Sequence, residues 1–151
     1  MGRRNLALDY AFRFIGIPYY WGGDDPIQGF DCSGFVIEVL QAVGLLPFGY
    51  KDIAGGLWNK WKNHTVLKAR PGCLALWFQP GFPLSIQTCS HVELCLDEGY
   101  SIGSSGGGSK TITPAEAIRT NAFIKIRPFT WWGHPPIFVD PFEEVEPWTS
   151  P

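Results

Sequence analysis

Charge is scarce in this sequence. Only 17% of its 151 residues are Asp, Glu, Lys or Arg, and the formal net charge is −2. No basic field exists to grip a phosphate backbone, which excludes nucleic acid as an expected partner. Long apolar runs are missing too. No stretch approaches the roughly 20 consecutive apolar residues that cross a bilayer, so membrane insertion is not expected. The opening MGRRNLALDYAFRF breaks its apolar residues with charges where a secretory h-region runs unbroken. Synthesis in the cytoplasm without a signal peptide is the expectation. Met1-Gly2 resembles a myristoylation start, but Leu6 stands where that signal needs Ser or Thr. The four cysteines (Cys32, Cys73, Cys89 and Cys95) form no C-x-x-C pair, and no histidine lies at zinc-site spacing from them. A disulfide framework is not expected without a secretory leader.

What is present is a domain-sized share of apolar residues, 45%, with 7 Trp, 11 Phe, 13 Pro and 18 Gly. That balance predicts one domain of short elements joined by many turns. Ala7, Tyr10, Ala11 and Phe14 share a helical face over 5–15, and Gly16 and Pro18 end it. After the turn-rich PYYWGGDDPIQGFD, a second helix begins near Cys32. Its apolar stripe is Phe35, Val36, Val39, Leu40 and Val43, its stop is Gly44 and its N-cap is Asp31. Gly55-Gly56 precede a short helix that packs Trp58 and Trp61 on the core. Strands are predicted at 73–78, 90–96, 100–105 and 122–129. The stretch 104–109 reads as a flexible connection, and Thr113-Pro114-Ala115-Glu116 opens a short capped helix to Asn121. Residues 1–129 read as the domain, and 130–151 as a Trp- and Pro-rich extension lying extended over its surface. Helix, loop, buried helix and then antiparallel strands make an α+β domain.

Cys32 stands apart from the other cysteines. At a helix N-terminus the partial positive charge favours thiolate, and unpaired backbone N–H groups can hold an oxyanion. Ser33 and Gly34 leave room for a substrate carbonyl. Cys73 and Cys95 read as buried small hydrophobes, and Cys89 as a loop residue. A thiolate needs a base. His64 follows a charged run and His134 lies among prolines, which suits solvated surface. His91 opens an apolar strand on which His91, Glu93 and Cys95 share one face and Val92, Leu94 and Leu96 the other. Glu93 can orient the imidazole and stabilise its charged form. The competing reading is an edge strand whose polar face meets solvent.

IPYYWGG (17–23), GFDCSGF (29–35), RPGCLALWF (70–78) and SHVELCL (90–96) resemble, in order and spacing, the NlpC-type cell-wall peptidases. These are papain-like cysteine peptidases of bacteria and their phages. The resemblance spans roughly residues 5–105. It implies an NlpC-type fold with the nucleophile-bearing helix packed on an antiparallel sheet. It also makes Cys32 the nucleophile, His91 the base and Tyr19 a neighbour of the thiol that helps hold oxyanion or substrate. Asp31 and Ser33 match residues that receive the free amino end of a stem peptide; helix capping is the alternative role for Asp31. Three departures are present. Gly103 of Ile102-Gly103-Ser104 replaces a third polar residue, often His. Glu93 replaces a glycine, and Cys73 replaces the Asp of a Pro-Gly-Asp turn. The loss at Gly103 and the gain at Glu93 fit a relocated third member.

The resemblance implies hydrolysis between D-glutamate and a diamino acid of peptidoglycan through a thioester, with no metal or other cofactor. A monomer is expected. The compact form and the closing Val-Asp-Pro-Phe (139–142) resemble phage or prophage versions, an endolysin released by a holin or a tail-associated lysin of the virion. Two alternatives stay open: an amidase or acyltransferase with the same Cys–His pair, and a non-catalytic phage structural module.

Overall fold

A computed structural model describes residues 2–151. The first helix, α1 (Arg3–Phe12), buries Ala7 and Ala11, and Gly16 turns the chain away with a positive φ of 92°. A hairpin of two short strands, β1 (Asp24–Asp25) and β2 (Gly29–Phe30), follows within the segment read as loop. Next come α2 (Cys32–Ala42), α3 (Ala54–Trp61) and β3 (Thr65–Val66). The rest of the chain supplies β4 (Leu74–Phe78), β5 (Cys89–Cys95), β6 (Tyr100–Ser105), α4 (Pro114–Arg119), β7 (Phe123–Pro128) and β8 (Ile137–Val139). The expected α+β architecture is present. Six antiparallel strands run in the order β3-β8-β4-β5-β6-β7.

Helix α2 is apolar over most of its surface because it is enclosed. Phe35, Val36, Ile37, Val39 and Leu40 are buried in the main core with Leu74, Leu76, Val92, Leu94 and Ile102 from the sheet. The rings of Phe14, Phe30 and Phe35 meet edge to face in the same core. A second, smaller cluster of Ala69, Cys73, Ala75, Trp77 and Cys95 is covered by Phe129, Trp132 and Phe138. Every residue of β4 is therefore buried, which explains its unbroken apolar run.

Three expectations need correction. The extension is not merely draped over the surface: β8 lies inside the sheet between β3 and β4, and Phe142 is fully buried. Ser104 and Ser105 are buried residues of β6 rather than part of a flexible connection, because β6 pairs with β7 along its whole length. Cys89 begins β5 instead of sitting in a loop. The capped start of α4 is as read, with Thr113 Oγ1 accepting from the Glu116 N–H at 3.2 Å.

Candidate active site

Asp31 ends the turn-rich segment in an extended conformation and caps α2. Its Oδ1 accepts from the Gly34 N–H at 2.7 Å and the Ser33 hydroxyl at 3.3 Å, and its Oδ2 from the Gly22 N–H at 3.2 Å. The capping role is thus filled, and the same carboxylate ties the glycine loop to the helix. Burial is the largest influence on Asp31 and raises its pKa above the usual carboxylate value against these hydrogen bonds. Gly34 is required here, since a Cβ would lie 2.1 Å from the Gly23 carbonyl oxygen. The loop consequently presses against the first turn of α2 and leaves Cys32, the first helical residue, half-buried. The N–H of Cys32 has no helical carbonyl to bond, by position. A cleft of about 400 Å³ opens beside Asp31 and Ser33, with Asp24 and Asp52 also on its walls.

On β5 the alternation works as read. Val92 and Leu94 join the main core, while His91 Nε2 meets Glu93 Oε2 at 2.7 Å. Cys32 is the other neighbour of the ring that raises its pKa. Glu93 is fully buried, and its Oε1 accepts from the Ser101 hydroxyl at 3.1 Å. The solvated edge-strand reading is therefore wrong: β5 is an interior strand and His91 is only 5% exposed. Burial, the largest influence, disfavours the charged imidazole. Hydrogen bonds and charges of Cys32 and Glu93 outweigh it, and His91 is raised to about 9.

Gly103 explains how Glu93 fits. β5 and β6 pair Leu94 with Ile102, which continues to Glu93 opposite Gly103. A Cβ at Gly103 would lie 2.4 Å from Glu93 Cγ and 2.7 Å from its Cδ. The carboxylate side chain occupies the space that any larger residue at 103 would take.

A model of the NlpC/P60 family matches residues 16–127, a span that holds every one of these side chains. The chain belongs to the NlpC/P60 family. It is 28% identical over 135 residues to the peptidoglycan endopeptidase RipB of Mycobacterium tuberculosis, covering 78% of this chain and 52% of RipB. It is 53% identical over 56 residues to the gamma-DL-glutamyl hydrolase of Bacillus subtilis, covering 30% of this chain and 14% of the hydrolase. The chain thus spans about half or less of the length of these curated relatives. The crystal structure of the NlpC/p60 domain of peptidoglycan hydrolase SagA superposes with a TM-score of 0.63 at 27% identity, covering 91% of this chain and 97% of that one.

Tyr19 is buried, bridged to Phe30 in β2, and held protonated by burial and by the charges of Cys32 and Asp31. Cys73 and Cys95 are fully buried. Burial pushes the Cys89 thiol up to about 12. His64 faces Glu144 at 3.2 Å, away from the group. His134 is half-buried instead of solvated, with Nε2 2.9 Å from the Phe78 carbonyl oxygen. Sequence reasoning missed Ser101, although the Asp97–Tyr100 turn fixes the Cys95–Ser101 pairing that positions it. It also missed Trp131 and Trp132 as neighbours of His91, and both lie beyond the family match.

Proposed function

We propose that this domain is a cysteine endopeptidase that hydrolyses peptidoglycan stem peptides at a D-glutamyl–diamino acid bond through a thioester. The observation that carries the proposal is the buried 2.7 Å contact of the His91 imidazole with the Glu93 carboxylate, on a ring whose pKa Cys32 at the start of α2 also raises. RipB, named as a peptidoglycan endopeptidase, and the hydrolase, named for gamma-DL-glutamyl bonds, support the substrate class.

In this reading the Cys32 thiolate attacks the carbonyl carbon, and the Cys32 N–H and the protonated Tyr19 hydroxyl stabilise the oxyanion. The His91 imidazolium gives its proton to the leaving amine as the C–N bond breaks and the thioester forms. His91 then takes a proton from water, whose oxygen attacks the thioester, releasing the acid and restoring thiolate and imidazolium. Glu93 holds the ring and stabilises its charge in both steps. The cleft beside Asp31 and Ser33 has Asp52 and the 3.2 Å Lys51–Asp24 pair on its walls, which leaves Asp31 and Asp52 to receive a cationic amino end of the substrate.

Purified peptidoglycan treated with wild type and with Cys32→Ala, with fragments read by mass spectrometry, tests this. Fragments ending at D-glutamate, released by wild type alone, are expected. Equal release by Cys32→Ala, or none by wild type on walls of several chemotypes, overturns it.

A further inference from the structure

The imidazole of His91 is boxed by three indoles. Trp132 lies flat on it, with centroids 4.7 Å apart and planes 20° from parallel. Trp131 meets it edge-on at 5.7 Å, and Trp77, its cross-strand partner on β4, lies 5.6 Å away. Trp131 and Trp132 belong to a 3₁₀ turn, Phe129–Trp132, that follows β7 and lies outside the family-matched span. The turn is anchored on both sides. Trp132 packs on the small cluster around Trp77, and the Trp77 Nε1–H donates to the His134 carbonyl at 3.1 Å. His134 in turn bonds the Phe78 carbonyl, and β8 pairs with β4 just beyond.

We propose that Trp132 is a positioning residue for the base, so that the segment after β7 completes the catalytic machinery. The inference rests on His91 being the base of the proposed reaction. That base holds Glu93 through Nε2 at 2.7 Å and has Cys32 as its partner in the proposed reaction, and a turn about Cβ–Cγ would break the Glu93 contact. Such a turn sweeps the ring through the volume that Trp132 fills, so the stacked indole holds the working orientation. The same π face favours imidazolium over imidazole. The charged and titratable groups around the ring are Cys32 from α2 and Cys89 and Glu93 from its own strand. Tyr19 faces Cys32; from β7, Lys125 approaches Glu93, and Arg127 lies 4.1 Å over the Trp131 ring. Replacing Trp132 alone removes none of these groups.

The test compares Trp132→Leu and Trp132→Phe with wild type on a soluble stem peptide across pH. For Trp132→Leu, kcat is expected to fall about tenfold or more with KM nearly unchanged. Its alkaline limb is expected to move down by roughly one pH unit, with Trp132→Phe recovering much of both. Wild-type kcat and limb in Trp132→Leu overturn the proposal. Two further readouts hold if the leucine variant does not fold or His91 is not the base. NMR titration of the His91 ring in Trp132→Phe is expected to give a midpoint below that of wild type; an unchanged midpoint and ring shift overturns the positioning role. Wild-type tryptophan emission is expected to change as His91 titrates, in a step absent from His91→Gln; no such step overturns the stacking. Full activity in His91→Gln, by contrast, removes the proposed reaction and leaves these two spectroscopic tests standing.

Discussion

Glu93 gives one carboxylate oxygen to His91 and the other to Ser101, and neither reaches solvent. A carboxylate so placed fixes which imidazole nitrogen faces Cys32 and favours the charged ring. Glu93→Gln keeps the shape and removes the charge. In that variant kcat is expected to fall roughly 10²- to 10⁴-fold on a soluble stem peptide. The sign of the pH effect follows from the same contact. Glu93 is among the groups that raise His91 to about 9, so its loss lets the imidazolium deprotonate at lower pH. The alkaline limb of the rate profile should therefore shift toward neutrality. A glutamine variant with the wild-type rate and limb would remove Glu93 from the machinery.

At the scale of elements, the pairing of β5 with β6 lets Glu93 and Gly103 share one space. Gly103→Ala forces a Cβ to 2.4 Å from Glu93 Cγ and is expected to destabilise by about 1–3 kcal/mol in urea denaturation. In a Glu93→Ala background the same change should cost little, because the clashing side chain is gone. Additive costs in the double variant would show that the two positions do not interact. This exchange was legible in the sequence because it is local: the alternation over 91–95 and the short turn after it fix who faces whom. The start of α2 was legible for the same reason, as Asp31, Cys32 and Gly34 adjoin in sequence. β8 was not. Its partners are Thr65 and Val66 on one side and Leu74 to Leu76 on the other, more than sixty residues upstream. No local periodicity encodes such a pairing. Trp132, which stacks on His91, precedes this strand, so that wall of the site stayed hidden while the placement of Cys32 and His91 did not.

Across the whole molecule, the first helix and the last segment are locked by ions. Arg4 holds Asp140 through two 2.9 Å hydrogen bonds, both side chains being buried, and also donates to the carbonyls of Pro71 and Glu146. Asp140→Ala leaves that guanidinium buried without its carboxylate and is expected to cost about 3–5 kcal/mol by urea denaturation. A loss under 1 kcal/mol would mean that the carbonyls alone suffice. Stability should also depend on pH through His91. The unfolded ring titrates near its ordinary value of 6.5, whereas the folded ring holds its proton to about 9. Between those values the folded ring binds the extra proton, so the His91 contribution to stability falls as pH rises. The contribution is fully present below 6.5 and lost by about 9, with a slope no steeper than about 1.4 kcal/mol per pH unit. The buried Cys73 and the half-buried Cys89, both pushed up to about 12, add their own losses only as pH passes the ordinary thiol value of 9.0. Calorimetry between pH 6 and 8.5 in a Cys32→Ser background isolates the histidine, because in wild type the Cys32 thiolate of the proposed ion pair has lost the proton that the imidazolium keeps. Cys32→Ser should lose melting temperature steadily over that window while Cys32→Ser/His91→Gln stays nearly flat. Parallel curves for the two would mean that folding does not hold the imidazolium.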